Sequence, residues 1–139
     1  MIYFNLKSLS RSKQNNKTKR NFWYGLLHKV FASLSSNPDF DDKIENVVEW
    51  FIEYDDTIDH VANREIGIDK NGKIIVKMPD ERNYGYWLDT NCDLDDFKSM
   101  GIHMITKKEF NDLWNSVYYD VKTENFKQIA KGTLTKDGG

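Results

Sequence analysis

The fold of this chain is decided by residues 47–78, which read VVEWFIEYDDTIDHVANREIGIDKNGKIIVKM. Residues that favour strands, the β-branched and aromatic types, are concentrated in three runs, at 47–55, 64–69 and 73–78. Between the last two runs lies Asn71-Gly72, and because both residue types tolerate positive φ, the pair is typical of a tight hairpin turn. The stretch therefore predicts an antiparallel β-meander.

The first strand of this meander has a helical alternative. Residues 39–55 also place apolar side chains at helical spacing, while Val48, Trp50, Ile52 and Tyr54 alternate with acidic residues as a strand does. The enrichment in β-branched and aromatic residues favours a short helical turn followed by a strand from residue 47.

An amphipathic helix is predicted upstream of the meander. Asn21 stands in place to cap it, and Pro38 lies beyond its end. Its apolar positions follow i, i+3 and i+4 spacing and are Phe22, Trp23, Leu26, Leu27, Val30, Phe31 and Leu34.

The N-terminal segment differs from the rest in composition. Residues 10–20 have no apolar side chain, whereas residues 2–9 alternate loosely as in a strand. We therefore divide the chain into residues 1–20, a basic arm or a short strand plus linker, and residues 21–139, a single domain.

Two short helices are predicted in the C-terminal half. The first is capped by Asn91 or Asp93 and closes at Gly101. The second covers 107–118 and begins with Thr106-Lys107-Lys108-Glu109, a capping box in which the threonine and glutamate side chains satisfy backbone amides reciprocally. The order of N-terminal amphipathic helix, antiparallel meander and two short helices indicates an α+β fold.

Length and composition indicate one globular domain without a membrane segment. The chain has 139 residues, of which 39% are hydrophobic and 30% charged. Its apolar runs fall far short of the ~20 residues that span a bilayer, and its N-terminus lacks the apolar core of a signal peptide. Cys92 is the single cysteine, which excludes an intramolecular disulfide and Cys-rich zinc sites. We therefore expect a cytoplasmic protein.

Recognisable catalytic and metal-binding motifs are absent from the sequence. The acidic run 89–96 resembles the start of a calcium loop, but Leu94 stands where that loop needs glycine and Met100 where it needs a bidentate glutamate. No glycine-rich phosphate loop is present, and no sequence context marks Cys92 and His103 as nucleophile and base. We predict no catalytic residue, no metal site and no cofactor. A metal-dependent enzyme that uses the acidic run is a third hypothesis, after the two functions given below.

The net charge of −2 conceals an uneven distribution along the chain. Residues 1–35 carry a charge of +7, residues 36–100 carry −10, and residues 101–139 carry +1. Tyrosine and tryptophan dominate the binding energy of many protein interfaces, while charge steers the encounter. We therefore predict that the acidic segment bears an aromatic-containing surface for a protein partner.

The candidate residues of this surface are Tyr84, Tyr86, Trp87, Asp89, Asp93, Asp95 and Asp96. Two structural interpretations compete with this one. The default interpretation of the rings is that they cover the sheet. The default interpretation of the carboxylates at 93–96 is that they begin a helix, since carboxylates favour its positive end.

A resemblance to a class of proteins extends over residues 47–115. Its pattern comprises Glu49-Trp50, Arg64-Glu65-Ile66-Gly67-Ile68-Asp69, Gly72-Lys73-Ile74-Ile75, Met78-Pro79, Asn83-Tyr84-Gly85-Tyr86-Trp87, Asp96-Phe97, Lys108-Glu109-Phe110 and Trp114. In these residues the chain resembles small bacterial immunity proteins that accompany polymorphic or contact-dependent growth-inhibition toxins. The resemblance implies a cytoplasmic, non-catalytic protein that binds the C-terminal domain of a cognate toxin and blocks it. An acidic surface suits a toxin domain that is basic around its active site.

The alternative function is nucleic-acid binding through the N-terminal arm. Its basic residues are Arg11, Lys13, Lys17, Lys19 and Arg20. Such binding would weaken steeply with salt, because each phosphate contact releases counterions. The acidic remainder of the chain would repel phosphates and argues against this alternative.

Overall fold

The computed structural model describes residues 1–8, 41–80 and 92–130. The strands in these ranges are β1 (Ile2–Lys7), β2 (Val47–Tyr54), β3 (Ala62–Asp69), β4 (Ile74–Met78), β5 (His103–Met104), β6 (Val117–Asp120) and β7 (Asn125–Gln128). The helices are α1 (Asp41–Ile44), α2 (Leu94–Ser99) and α3 (Lys107–Trp114).

Five strands form one antiparallel sheet in the order β4-β3-β2-β1-β5, and β6 pairs with β7 in a separate two-stranded sheet. β2, β3 and β4 are the consecutive strands of the meander. β1 pairs with β2 along its whole length, from Ile2 opposite Tyr54 to Lys7 opposite Glu49. β1 therefore lies inside the sheet, between β2 and the two-residue edge strand β5.

Local sequence signals place the meander and the starts of the two C-terminal helices as predicted. The helix predicted over 107–118 is too long, since it ends at Trp114 and Val117–Asp120 forms β6. Gly72 closes the β3–β4 turn with a φ of 76°. Asp93 caps α2 in a capping box with Asp96, and Thr106 caps α3 in a capping box with Glu109. Each box satisfies backbone N–H groups that have no partner within the helix, which fixes where the helix begins.

The predicted α+β class is wrong. The described residues are mostly antiparallel sheet, and the chain begins with a strand rather than with a helix. β1 falls within residues 2–9, whose loose alternation is typical of a strand, and it is buried on both faces, since Tyr3, Phe4 and Leu6 are all buried. The predicted amphipathic helix over 22–34 lies outside the described residues.

Both faces of the five-stranded sheet are covered, because successive side chains of a strand point to opposite faces. The first core cluster lies under α3 and the β6–β7 hairpin and contains Tyr3, Ile66, Ile68, Ile74, Phe110, Val117 and Phe126. The second core cluster lies on the other face with α2 and contains Phe4, Leu6, Ile52, Tyr54, Ala62, Cys92 and Phe97.

A half-buried ion pair fastens α3 to the first face. Arg64 donates from Nε to Glu53 Oε1 at 2.8 Å, from Nη2 to Glu53 Oε2 at 2.5 Å, and from Nη2 to Asn111 Oδ1 at 3.0 Å. The guanidinium carbon lies 4.9 Å from the ring centroids of both Phe110 and Trp114. The pair therefore connects β2 and β3 to two aromatic side chains of the helix through charge and cation–π contacts.

Candidate functional site: the acidic end of the sheet

The loop between β2 and β3 is organised by one carboxylate. Asp55 Oδ1 accepts hydrogen bonds from Thr57 N at 2.9 Å, from Thr57 Oγ1 at 2.8 Å and from Ile58 N at 3.2 Å. The backbone N–H and hydroxyl of Thr57 hold the pKa of Asp55 at about 2. With the loop fixed in this way, Ile58 is presented to solvent with 79% of its surface exposed.

The start of α2 adds a second group of carboxylates. Asp93 accepts from the backbone N–H of Asp96, and Asp96 accepts from that of Asp93, so both side chains are engaged in the cap. Asp95 is 90% exposed and makes a 3.6 Å ion pair with Lys98. Asp95 is therefore the carboxylate of this helix start that is most available to a partner.

Tyr54 joins the loop to the helix start. Its hydroxyl donates to the carbonyl of His60 at 2.6 Å, and its ring packs edge-on against Phe97 of α2. Burial raises the pKa of Tyr54, and the nearby carboxylates of Asp93 and Asp96 raise it further. A hydrogen bond from the backbone N–H of Leu94 lowers this pKa but does not cancel the rise. The buried Tyr54 side chain therefore contacts both the β2–β3 loop and α2.

We call this region the acidic end. It comprises Asp55, Asp56, Asp59, Asp93, Asp95, Asp96 and the exposed Ile58. Among the described residues, the positive groups that pair with these carboxylates are the ammonium of Met1, 2.5 Å from Asp56 Oδ1, and Lys98.

No family model matches this sequence, and neither a curated protein nor a solved structure matches it significantly. The function must therefore be argued from the geometry.

The acidic end contains part of the surface predicted from the sequence. Asp93, Asp95 and Asp96 lie in it, and two of the three act as helix caps as well. The other four candidates, Tyr84, Tyr86, Trp87 and Asp89, lie outside the described residues.

Sequence reasoning missed the contribution of the β2–β3 loop. Residues 55–59 read DDTID, so a single apolar residue is surrounded by three acids, and this signal was available. What places the loop beside α2 is the contact through Tyr54, which joins segments about 40 positions apart and leaves no trace in local spacing.

Three carboxylates of the acidic end, those of Asp55, Asp93 and Asp96, accept hydrogen bonds from backbone amides. Within residues 1–8, 41–80 and 92–130, no three His, Cys, Asp or Glu side chains are placed to hold a metal ion. Cys92 is buried in the second core cluster, whereas His103 is exposed on β5. Apolar burial is the environment of an unreactive thiol, since the thiolate is disfavoured there. In the described part of the chain, no helix is long and apolar enough to cross a membrane.

Proposed function

We propose that the protein is a non-catalytic, immunity-type protein of the cytoplasm that binds and neutralises a basic toxin domain through its acidic end. The observation that carries the proposal is that the exposed Ile58 lies in a loop with three carboxylates, Asp55, Asp56 and Asp59, and that Tyr54 connects this loop to the acidic start of α2. The chemistry of this surface is that of recognition, because it offers charge and an apolar anchor.

The arrangement suits tight association with a basic protein surface. An apolar side chain at the centre of an interface contributes by burial, and charges around it raise the rate of encounter. The hydrogen bonds to Asp55 fix the loop before binding, so little conformational entropy remains to be lost when Ile58 is covered.

The carboxylates divide into those that hold the fold and those that do not. Asp55, Asp93 and Asp96 accept backbone hydrogen bonds. Asp59 is exposed and its side chain bonds to no other described residue, while Asp95 makes only its long ion pair with Lys98. Reversing the charge at Asp59 and Asp95 therefore alters the surface without removing a structural contact.

The test compares three forms of the tagged protein in the native bacterial host. These are the wild type, an Asp59→Lys/Asp95→Lys variant, and an Asp112→Lys/Glu124→Lys control that makes the same change of charge on exposed residues elsewhere. We expect the wild type and the control to co-purify one basic protein domain in a 1:1 ratio and to protect cells that produce it. The Asp59/Asp95 variant should lose both properties.

The kinetics of the purified pair provide a second measurement. Association of the wild type should slow as salt rises, because exposed charges are screened beyond about 10 Å at 0.1 M salt. Equal affinity and equal salt dependence in the wild type and the Asp59/Asp95 variant would contradict the proposal. Retention of nucleic acid in place of a protein would instead favour the N-terminal arm.

A further inference from the structure

A cleft of about 350 Å³ opens at the end of the sheet opposite the acidic end. It is bounded by α1, the beginning of β2, the β3–β4 turn, the beginning of β4, and β7. Its apolar wall contains Val48, Ile74, Ile75 and Phe126. The volume falls within the range of about 300 to 1,000 Å³ that is usual for small-molecule sites.

Two β-bulges converge on this cleft. Val48 is the extra residue where β2 passes β3, between the pairs Val47–Asp69 and Glu49–Ile68. Ile75 is the extra residue of β4 opposite β3, between the pairs Gly67–Val76 and Ile68–Ile74.

Both bulges flank the same residue of β3, Ile68, and both extra side chains line the cleft. A bulge redirects a side chain that a regular strand would aim elsewhere, and bulges are common beside binding sites. Val48 remains 41% exposed. The irregular pairing on both sides of one strand therefore places apolar surface in an open cleft.

The rim of the cleft carries two exposed lysines, Lys70 and Lys73, and one exposed carboxylate, Glu45. Lys70 and Lys73 are exposed on the β3–β4 turn and form no ion pair with any residue in the described ranges. The neighbouring Asp69 directs Oδ1 into the turn itself, where it accepts from Asn71 N at 2.8 Å and from Lys73 N at 3.0 Å. Two ammonium groups are therefore available at the mouth of the cleft.

A third lysine supports the wall of the cleft. Lys43 Nζ donates to the carbonyl of Glu124 at 2.7 Å and lies 5.7 Å from the centroid of the Tyr119 ring. These contacts tie α1 to the β6–β7 hairpin on the far side of the cleft. The cleft is thus bounded by connected elements.

We propose that this cleft binds a small organic anion, in which a carboxylate or phosphate group contacts Lys70 and Lys73 and an apolar group lies against Val48 and Ile75. Lysine supplies a compact point charge that accepts either kind of anion. Binding requires both halves of the ligand, because the ammonium groups are exposed to water and gain little from an anion alone.

The experiment is an NMR titration of the whole chain, followed through its backbone amide signals. The probes are benzoate and phenyl phosphate, which carry both an anionic and an apolar group. Inorganic phosphate carries the anionic group alone, and benzyl alcohol carries the apolar ring without a charge. We expect saturable shifts with at least one organic anion, confined to residues 43–48, 69–75 and 125–126. Each half probe should bind about tenfold more weakly or worse.

Variants separate the two halves of the site. A Lys70→Ala/Lys73→Ala variant should weaken the organic anion about tenfold or more, whereas Lys107→Ala/Lys108→Ala removes the same charge from α3 and should leave the affinity unchanged. Val48→Ser should reduce the preference for phenyl phosphate over inorganic phosphate. The proposal is overturned by any of three results: neither organic anion binds, inorganic phosphate binds as well as phenyl phosphate, or the shifts map elsewhere.

Discussion

Asp55 links the order of the β2–β3 loop to pH. Its pKa is about 2 in the folded protein against an ordinary value of 3.8. A depressed pKa means that the ionised carboxylate stabilises the fold fully above the pKa of the unfolded chain, and that this contribution is lost as the pH falls from about 4 towards 2.

The matching variants are Asp55→Ala and Asp55→Asn. We expect Asp55→Ala to unfold at a lower temperature than the wild type at pH 7, with a difference that narrows as the pH approaches 2. Asp55→Asn keeps a hydrogen-bond acceptor without the charge, so its unfolding temperature at pH 7 should lie between those of the wild type and Asp55→Ala. Thermal unfolding followed by circular dichroism from pH 7 to pH 2 measures this, and a difference that stays constant with pH would refute it.

Glu53 and Arg64 form the ion pair whose loss should matter most. Burial acts to raise the pKa of Glu53, but the hydrogen bonds and charge of Arg64 outweigh it and lower that pKa. Glu53→Gln leaves a half-buried guanidinium without its counter-charge and should lower the free energy of unfolding by about 2–4 kcal/mol. Urea denaturation provides the value.

The matched control is an exposed ion pair. Lys108 Nζ lies 2.6 Å from Asp112 Oδ2, and both side chains are largely in solvent. Asp112→Asn should therefore change the free energy of unfolding by less than about 0.5 kcal/mol. Similar losses in Glu53→Gln and in the control would mean that the buried pair contributes no more than a surface pair.

Among the elements, α2 depends most on its cap, because it has only six residues. Asp93→Ala removes the side chain that accepts from the Asp96 amide and should cost about 1 kcal/mol in urea denaturation. Asp95→Ala, at the exposed position two residues later, should have almost no effect. A larger loss for Asp95→Ala would show that the cap does not fix this helix.

Elements with local chemical signals were predictable from the sequence. The hairpin at Asn71-Gly72 and the capping boxes at Asp93 and Thr106 each depend on residues within four positions of one another. The β6–β7 hairpin was not predictable in the same way. Its strands have four residues each, with Val117 and Phe126 as their buried apolar anchors, too few to establish a period.

The candidate sites were predictable only in part, for a related reason. The carboxylates at 93–96 were visible as a charge cluster, but their proximity to the loop at 55–59 depends on Tyr54. The cleft depends on bulges at Val48 and Ile75, and a bulge is a property of strand pairing rather than of either strand alone.

At the scale of the whole molecule, stability should differ between the two sheets. β2 and β3 are each paired on both sides in the five-stranded sheet, whereas β6 and β7, among the described strands, pair with each other alone. The hairpin also exposes Tyr118, Val121 and Ile129. A two-stranded sheet is marginal alone, so it should open more easily than the rest.

Native-state hydrogen exchange tests this difference. Amides of β2 and β3 should exchange only through global unfolding, with the same dependence on denaturant as the complete transition. Amides of β6 and β7 should exchange through a smaller opening at low denaturant. Equal protection in both sheets would show that the molecule opens as one unit.

The position of β1 also constrains how the chain can fold as it is made. Ribosomes synthesise about 5–20 residues per second, and the partner of Lys7 is Glu49. β1 therefore leaves the ribosome seconds before β2 exists, with the apolar run Ile2-Tyr3-Phe4 still unpaired. β1 must wait for β2 before it can enter the interior of the sheet, and the handling of the nascent chain by chaperones should matter most during that interval.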